Sequence, residues 1–167
     1  MLAFEMYPYS AERMFENMSV RIEVIPNYRV AYVRQVGPYG PSNMQAMKQL
    51  KEWAEGQNLL TDSSILLGIA QDNPETTPPD NCRYDACIVI PHDYLLDRSM
   101  NEAELSGGTY AVFTIKHTAE HIQQAWIDIF PAIQSSGYQM DNRPIIERYM
   151  GNMVVNEYCD LCVPVKL

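Results

Sequence analysis

The chain has 167 residues, which is the size of one domain or of two fused halves. With 47% hydrophobic and 20% charged residues, it suits a folded core rather than a disordered chain. The formal net charge of −9 disfavours direct binding to nucleic acid or to an anionic membrane, because phosphates would be repelled. There is no apolar run of about 18 residues and no signal-peptide pattern, so we expect a cytoplasmic protein.

The first half of the chain predicts one strand, one helix and two further strands. Residues 1–19 are interpreted as a lead-in, in which Ser10 is a candidate cap for a short helix. After it, apolar alternation, helical spacing and Gly- or Pro-rich turns define the elements. In chain order these are a strand at 29–36, a helix that Ser42 caps and Gly56 ends, and strands at 65–70 and 83–90.

The second half repeats this order of elements. A strand is predicted after the Gly107-Gly108 turn, and a helix with Thr118 as its N-cap follows and runs through Ile133. Pro131 predicts a kink in that helix. The predicted strands of this half are 109–115, 145–150 and 158–165.

The two halves match in spacing as well as in order. Trp53 and Trp126 lie late in their helices and are 73 positions apart, and similar strand segments begin at Tyr84 and Tyr158, 74 positions apart. We therefore predict an α+β fold made of a tandem β-α-β-β repeat, with approximate repeats at 20–92 and 105–167. The repeats should form one antiparallel sheet with pseudo-twofold symmetry and two main helices on one face. A crevice between the helices is a natural place for a pocket.

The four cysteines do not have the spacing of a zinc site. Cys159 and Cys162 should point to opposite faces of one strand, whereas structural zinc sites prefer Cys-x2-Cys on tight turns. We expect reduced structural thiols, no metal and no cofactor. No phosphate-binding glycine loop and no Gly-x-Ser-x-Gly motif is present, and a dyad of Cys87 with a histidine is left open.

A carboxylate inside an apolar strand is the sharpest feature of the sequence. In the segment IIERYM, Glu147 and Tyr149 share one face and Arg148 takes the other. If the helices cover the Glu147 face, that carboxylate needs a cationic partner or hydrogen bonds, and an organic cation among aromatic rings would satisfy it. The alternative is that Glu147 faces solvent and Arg148 snorkels or pairs. Asp85 and Asp160 raise the same question, and 10 Met with 11 Tyr suit an adaptable pocket.

Several short motifs occur together in an order that resembles the GyrI-like superfamily, the AraC-type effector-binding domains. The resemblance covers roughly residues 20–167. The matching pieces are Gly37-Pro38-Tyr39, Trp53, Gly68-Ile69, Asp72-Asn73-Pro74, Arg83-Tyr84-Asp85-Ala86, Gly107-Gly108-x-Tyr110-Ala111, Trp126 and Pro144-x-x-Glu147-x-Tyr149.

The resemblance implies a tandem β-α-β-β fold and a ligand site. In multidrug-sensing members, a buried Glu on the strand that matches IIERYM binds the cationic centre of amphipathic drugs, and here that residue is Glu147. The aromatic side chains that the resemblance implies as pocket walls are Tyr149, Trp53 and Trp126, followed by Tyr39 and Tyr110.

The chain departs from many members of the superfamily, which attach this domain to a helix-turn-helix. Only about 20 residues precede the matching region here, so we expect a stand-alone binding protein for small hydrophobic cations. Two alternatives stay open. One is a protein-interaction module whose partner is DNA gyrase or a separate transcription factor. The other is a small-molecule hydrolase in which Glu147 acts as a general base.

Overall fold

The computed structural model describes residues 19–150 and 157–166, so the helix predicted at Ser10 lies outside the described part. The elements in chain order are β1 (Ser19–Ile25), β2 (Tyr28–Val36), α1 (Pro41–Gly56), β3 (Ile65–Ala70), a 3-10 turn (Pro79–Asn81), β4 (Arg83–Ile90), β5 (Asn101–Leu105), β6 (Gly108–Lys116), α2 (Ala119–Ser135), β7 (Gln139–Met140), β8 (Ile146–Met150) and β9 (Tyr158–Lys166). No helix among these residues is long and apolar enough to cross a membrane.

The elements predicted between residues 29 and 165 are all present, and the strand boundaries agree to within one residue. The strands β1, β5 and β7 were not predicted. Thr118 is confirmed as the cap of α2, since its side chain accepts a hydrogen bond from the backbone N–H of His121. The prediction that Ser42 caps α1 is wrong. That helix begins at Pro41, which suits the first helical position because its missing N–H would be unpaired there anyway.

The strands form one antiparallel sheet in the order β1-β6-β9-β8-β3-β4-β2-β5, with β7 paired to β9. This order has approximate symmetry about its centre. The unit β2-α1-β3-β4 lies on one side and β6-α2-β8-β9 on the other, and β3 pairs with β8 between them. The predicted tandem repeat, with both units in a single sheet, is confirmed.

Two short links require the sheet to curl. β1 joins β2 through residues 26–27, although six strand spacings, about 29 Å in a flat sheet, separate them in the order. A two-residue link spans at most about 11 Å. The link at residues 106–107 meets the first one: Asn27 accepts a hydrogen bond from the Gly107 backbone N–H at 2.7 Å, and a Cβ at Gly107 would collide with the backbone of Ile25 and Pro26.

Both helices lie on one face of this sheet, called here the helix face. α1 covers β2 and β4, where Leu50 and Ala54 pack against Ala86 and Ile88, and α2 packs over β6. Ile129 of α2 belongs to the neighbouring cluster on the same face. Tyr149 of β8 touches both clusters, so it lies between the two packed helices.

The opposite face of the sheet holds its own core and a buried ion-pair network. Arg148 is 1% exposed and donates two hydrogen bonds to Glu23 at 2.8 and 2.9 Å. It also donates to Asp160, which is fully buried and accepts a hydrogen bond from Thr114 at 2.6 Å. Because each buried charge has an opposite charge beside it, this network can be accommodated away from water.

Candidate functional site

A cleft of about 560 Å³ opens on the helix face between α1 and the central strands. Its volume falls in the range of small-molecule pockets, about 300–1,000 Å³. The lining residues are Asn43, Met44, Gln45, Met47, Lys48, Lys51, Glu52 and Glu55 from α1, Tyr84 from β4, His117 from the turn before α2, and Glu147 and Tyr149 from β8.

Glu147 lies at the sheet side of the cleft, within a chain of hydrogen bonds. The hydroxyl of Tyr149 donates to Glu147 Oε2 at 3.0 Å and lies 3.1 Å from His117 Nε2. The rings of His117 and Tyr149 meet edge to face, with centroids 5.1 Å apart. The carboxylate is thereby oriented by Tyr149 and connected through it to an exposed histidine.

Burial dominates the electrostatics of this group. Removal from water raises the pKa of Glu147, and the hydrogen bond from Tyr149 and the charge of His117 only partly oppose that effect. Burial and the Glu147 charge both raise the pKa of Tyr149, and the same two causes raise the pKa of Tyr84. Both tyrosines are therefore neutral hydroxyls beside a poorly solvated carboxylate.

The carboxylate of Glu147 forms no ion pair with any Lys or Arg of the described residues. At the α1 side of the cleft, Lys48 and Lys51 are balanced in formal charge by Glu52 and Glu55. Among the Lys and Glu side chains of the lining, Glu147 is therefore the one whose formal charge has no counterpart.

The other two strand carboxylates differ from Glu147, because they lie on the opposite face and are paired. Asp85 accepts two hydrogen bonds from Arg34, both at 2.8 Å, and a third from Gln71 at 3.0 Å. Asp160 belongs to the Arg148 network. Ion pairs within the fold therefore satisfy Asp85 and Asp160, and neither carboxylate needs a cationic ligand.

The six predicted site residues separate into two groups. The structure brings Glu147 and Tyr149 together in the cleft, and the other four are absent from its lining. Trp53 packs in the core beneath α1, and Trp126 stacks on Phe130 of its own helix, with centroids 6.2 Å apart.

The two remaining tyrosines are used elsewhere in the fold. The Tyr39 hydroxyl donates to the backbone carbonyl of Arg83 at 2.8 Å and accepts from the Asp72 N–H at 3.1 Å, which ties the start of α1 to β4. Tyr110 is 1% exposed on the opposite face of the sheet, with the guanidinium of Arg143 4.6 Å above its ring. Its position on β6 places it on the other side of the sheet from Glu147.

Sequence reasoning missed His117, Tyr84 and the residues of α1 that line the cleft. A signal existed for Tyr84, because strand alternation places it on the same face of β4 as Ala86 and Ile88. No local signal pointed to His117, because its contact with Tyr149 joins residues 32 positions apart.

The cysteines do not converge. Cys159 belongs to the core of the helix face and Cys162 to that of the opposite face, as the strand alternation predicted. All four are buried and unpaired, and burial raises the pKa of Cys159 and of Cys162 to about 12. Within residues 19–150 and 157–166, no group of three or more His, Cys, Asp or Glu side chains could hold a metal ion.

A family model described as the GyrI-like small molecule binding domain matches residues 18–166. The chain belongs to the GyrI-like family. The family is described as one of small molecule binding domains, and this chain has the tandem-repeat fold described above.

Two curated relatives match this GyrI-like domain over most of its length. A candidate transcriptional regulator of the SPbeta prophage of Bacillus subtilis (strain 168), YosT, is 39% identical over 150 residues, which cover 89% of this chain and all of that protein. The DNA gyrase inhibitor of Escherichia coli (strain K12) is 26% identical over 148 residues, covering 86% and 93%.

Solved structures share the fold at low sequence identity. The C-terminal domain of EcmrR has a TM-score of 0.70 at 14% identity, with 89% of this chain and 98% of that chain covered. SAV2435 bound to tetraphenylphosphonium has a TM-score of 0.56 at 14% identity, covering 88% and 93%. A hydrolase from Listeria innocua has a TM-score of 0.59 at 13% identity, covering 88% and 91%.

Proposed function

We propose that this GyrI-like domain binds hydrophobic organic cations in the cleft, with Glu147 as the counter-charge. The observation that carries the proposal is a half-buried carboxylate that lines the cleft, has a raised pKa and has no Lys or Arg partner among the described residues. The exposed His117 is linked to it through the Tyr149 hydroxyl, and its charge offsets the effect of burial only in part. A charged group in such a place is costly unless it is paired. A cationic ligand supplies the missing pair.

The walls of the cleft suit a flat or bulky apolar cation. Tyr84 and Tyr149 offer aromatic faces on the sheet side, and rings of this kind attract cations over their faces. Met44 and Met47 on α1 offer flexible, polarizable contacts that adapt to different ligand shapes. A protein of the same fold, SAV2435, has been solved with tetraphenylphosphonium, which makes that cation a suitable probe.

We favour binding over the hydrolase alternative, in which Glu147 would activate water, because the matching family model is described as a small molecule binding domain. The gyrase alternative rests on relatives named DNA gyrase inhibitor and on the net charge of −9.

The test uses two probes of nearly equal size and opposite charge, tetraphenylphosphonium and tetraphenylborate, measured by isothermal titration calorimetry. Glu147→Gln keeps the shape of the side chain and removes its charge. We expect the affinity for the phosphonium to fall by about tenfold or more, because one partner of a desolvated charge pair is lost. The affinity for the borate should stay the same or rise.

Glu52→Gln is the matched control, since Glu52 is an exposed carboxylate of the same cleft. It should change the phosphonium affinity by less than about threefold, because exposed charges are screened by solvent. Equal losses for both probes in Glu147→Gln, or no measurable phosphonium binding to the unmodified protein, would contradict the proposal.

A further inference from the structure

Gly68 lies directly opposite Glu147 in the ladder between β3 and β8. Residues paired in this way point to the same face of a sheet, so a side chain at position 68 would stand beside the carboxylate. Gly68 is itself buried, and the space above it is taken by Tyr84. A Cβ at Gly68 would collide with the Tyr84 hydroxyl oxygen and lie 3.2 Å from Cζ of that ring.

Tyr84 reaches this place from another strand. It belongs to β4 and pairs with Ala70, whereas Gly68 lies two residues away along β3 and pairs with Ala86. In the order β8-β3-β4, the ring therefore extends diagonally over β3, and its hydroxyl comes to rest on the residue that faces Glu147. The raised pKa of Tyr84, caused by burial and then by the Glu147 charge, agrees with this closeness.

The hydroxyl of Tyr84 is held there by shape. Within the described ranges it has no hydrogen-bond partner, and the space left by the missing side chain of Gly68 is what receives it. If that space were filled, the ring would have to rise from the sheet. Ala86 and Ile88 of the same strand and the helix α1 above them occupy the other directions. The displaced ring would therefore move into the cleft that Tyr84 already lines.

We propose that Gly68 determines the size of cation that the cleft accepts. By leaving room for Tyr84 to lie across β3, it keeps the approach to Glu147 deep enough for a bulky cation. This inference rests on the proposed function, and it assigns Gly68 as a positioning residue that acts through Tyr84.

The experiment compares a bulky cation, tetraphenylphosphonium, with a smaller one, phenyltrimethylammonium, by calorimetry. In Gly68→Ala we expect the phosphonium affinity to fall by about tenfold or more, because the free-energy cost of overpacking a buried site corresponds to a change of that size in a binding constant. The affinity for phenyltrimethylammonium should change by less than about threefold. Gly56→Ala is the matched control, because a Cβ at Gly56 meets no atom within 4 Å, and it should leave both affinities unchanged.

Tyr84→Phe tests whether the effect passes through Tyr84. It removes the oxygen that a Cβ at position 68 would strike, so Gly68→Ala should cost much less phosphonium affinity in the Tyr84→Phe background than alone. Equal costs in the two backgrounds would overturn the inference, as would equal losses for the small and the bulky cation. Circular dichroism checks that each variant folds. If Gly68→Ala folds neither alone nor in the Tyr84→Phe background, the inference is also overturned, because Gly68 is then required for folding.

The outcomes separate the inference from the function on which it rests. If the unmodified protein does not bind the phosphonium, or if Glu147→Gln does not weaken that binding, the proposed function fails. If Glu147→Gln does weaken it and Gly68 shows no coupling to Tyr84, only the inference about Gly68 fails.

Discussion

Two neighbouring residues of β8 show how alternation along a strand separates two kinds of charge. Arg148 points to the opposite face, where Glu23 and Asp160 neutralise it. Glu147 points to the helix face, where Tyr149 supplies one neutral hydrogen bond. The first arrangement closes a charge network within the protein. The second leaves a carboxylate that has no Lys or Arg partner among the described residues, and the charge of His117 offsets its burial only in part.

This difference predicts how Glu147 affects stability as the pH changes. Because burial raises the pKa of Glu147 above its ordinary value of 4.5, the folded state binds this proton more tightly than the unfolded state does. The resulting stabilisation is complete below pH 4.5 and is lost as the pH rises through the folded-state pKa. At pH 7 the ionised Glu147 therefore contributes less to the free energy of unfolding than a neutral side chain would.

Glu147→Gln should accordingly raise the urea midpoint at pH 7, and the gain over the unmodified protein should shrink as the pH approaches 4.5. Urea denaturation at several pH values measures this, with Glu52→Gln as the exposed control. A lower midpoint for Glu147→Gln at pH 7 would contradict the prediction. A variant that binds cations less well and is more stable would be a trade-off between function and stability at one residue.

The two helices begin differently, although both follow a strand of the sheet. The Thr118 side chain accepts a hydrogen bond from the His121 N–H at 3.2 Å, which satisfies a donor at the start of α2. α1 begins after Gly40 with no side-chain cap, and the Ser42 hydroxyl donates back to the Pro38 carbonyl at 3.2 Å. A cap residue and a residue of the first turn can thus look alike in the sequence.

Thr118→Ala should lower the free energy of unfolding by about 1 kcal/mol, because the cap bond is lost. Ser42→Ala, the matched change in α1, should lower the free energy of unfolding by less than about 0.5 kcal/mol. The Ser42 hydroxyl donates to a carbonyl, so its removal leaves no helix N–H without a partner. Urea titration of the two variants measures the difference. Equal losses would mean that Ser42 supports α1 in a way that its hydrogen bond does not reveal.

In the whole molecule, the two repeats share one sheet and do not form separate cores. β3 and β8 pair at its centre, and the links at residues 26–27 and 106–107 cross between the halves. The core of the opposite face draws on both repeats, with Leu67 and Ile69 from the first and Val112 and Ile146 from the second. Neither half can therefore lose its structure without exposing the apolar surface of the other.

We expect the protein to unfold in a single transition, and each repeat carries its own reporter. Trp53 lies in α1 and Trp126 in α2, and the sequence contains no other tryptophan. In each of Trp53→Phe and Trp126→Phe, the remaining tryptophan should report the same urea midpoint as far-UV circular dichroism of that variant. A fluorescence midpoint separated from the dichroism midpoint in either variant would show that the repeats unfold independently.

Most of the architecture was predictable from the sequence, because its signals are local. Strand alternation and helical spacing located β2, β3, β4, β6, β8 and β9 and both helices, and the recurring order of strand, helix and two strands revealed the repeat. The same alternation separated Glu147 from Arg148. The strands β1 and β5 escaped prediction, since each is defined mainly by its pairing with a strand distant in the chain.

The composition of the cleft was decided by tertiary structure alone. Strand register places Gly68 opposite Glu147, and the path of the chain after β6 brings His117 to Tyr149. The hydroxyl of Tyr39, an aromatic residue of a recognisable motif, is instead bound to the backbone of Arg83. Periodicity along a chain assigns a side chain to a face, but which side chains meet on that face depends on contacts between segments far apart in sequence.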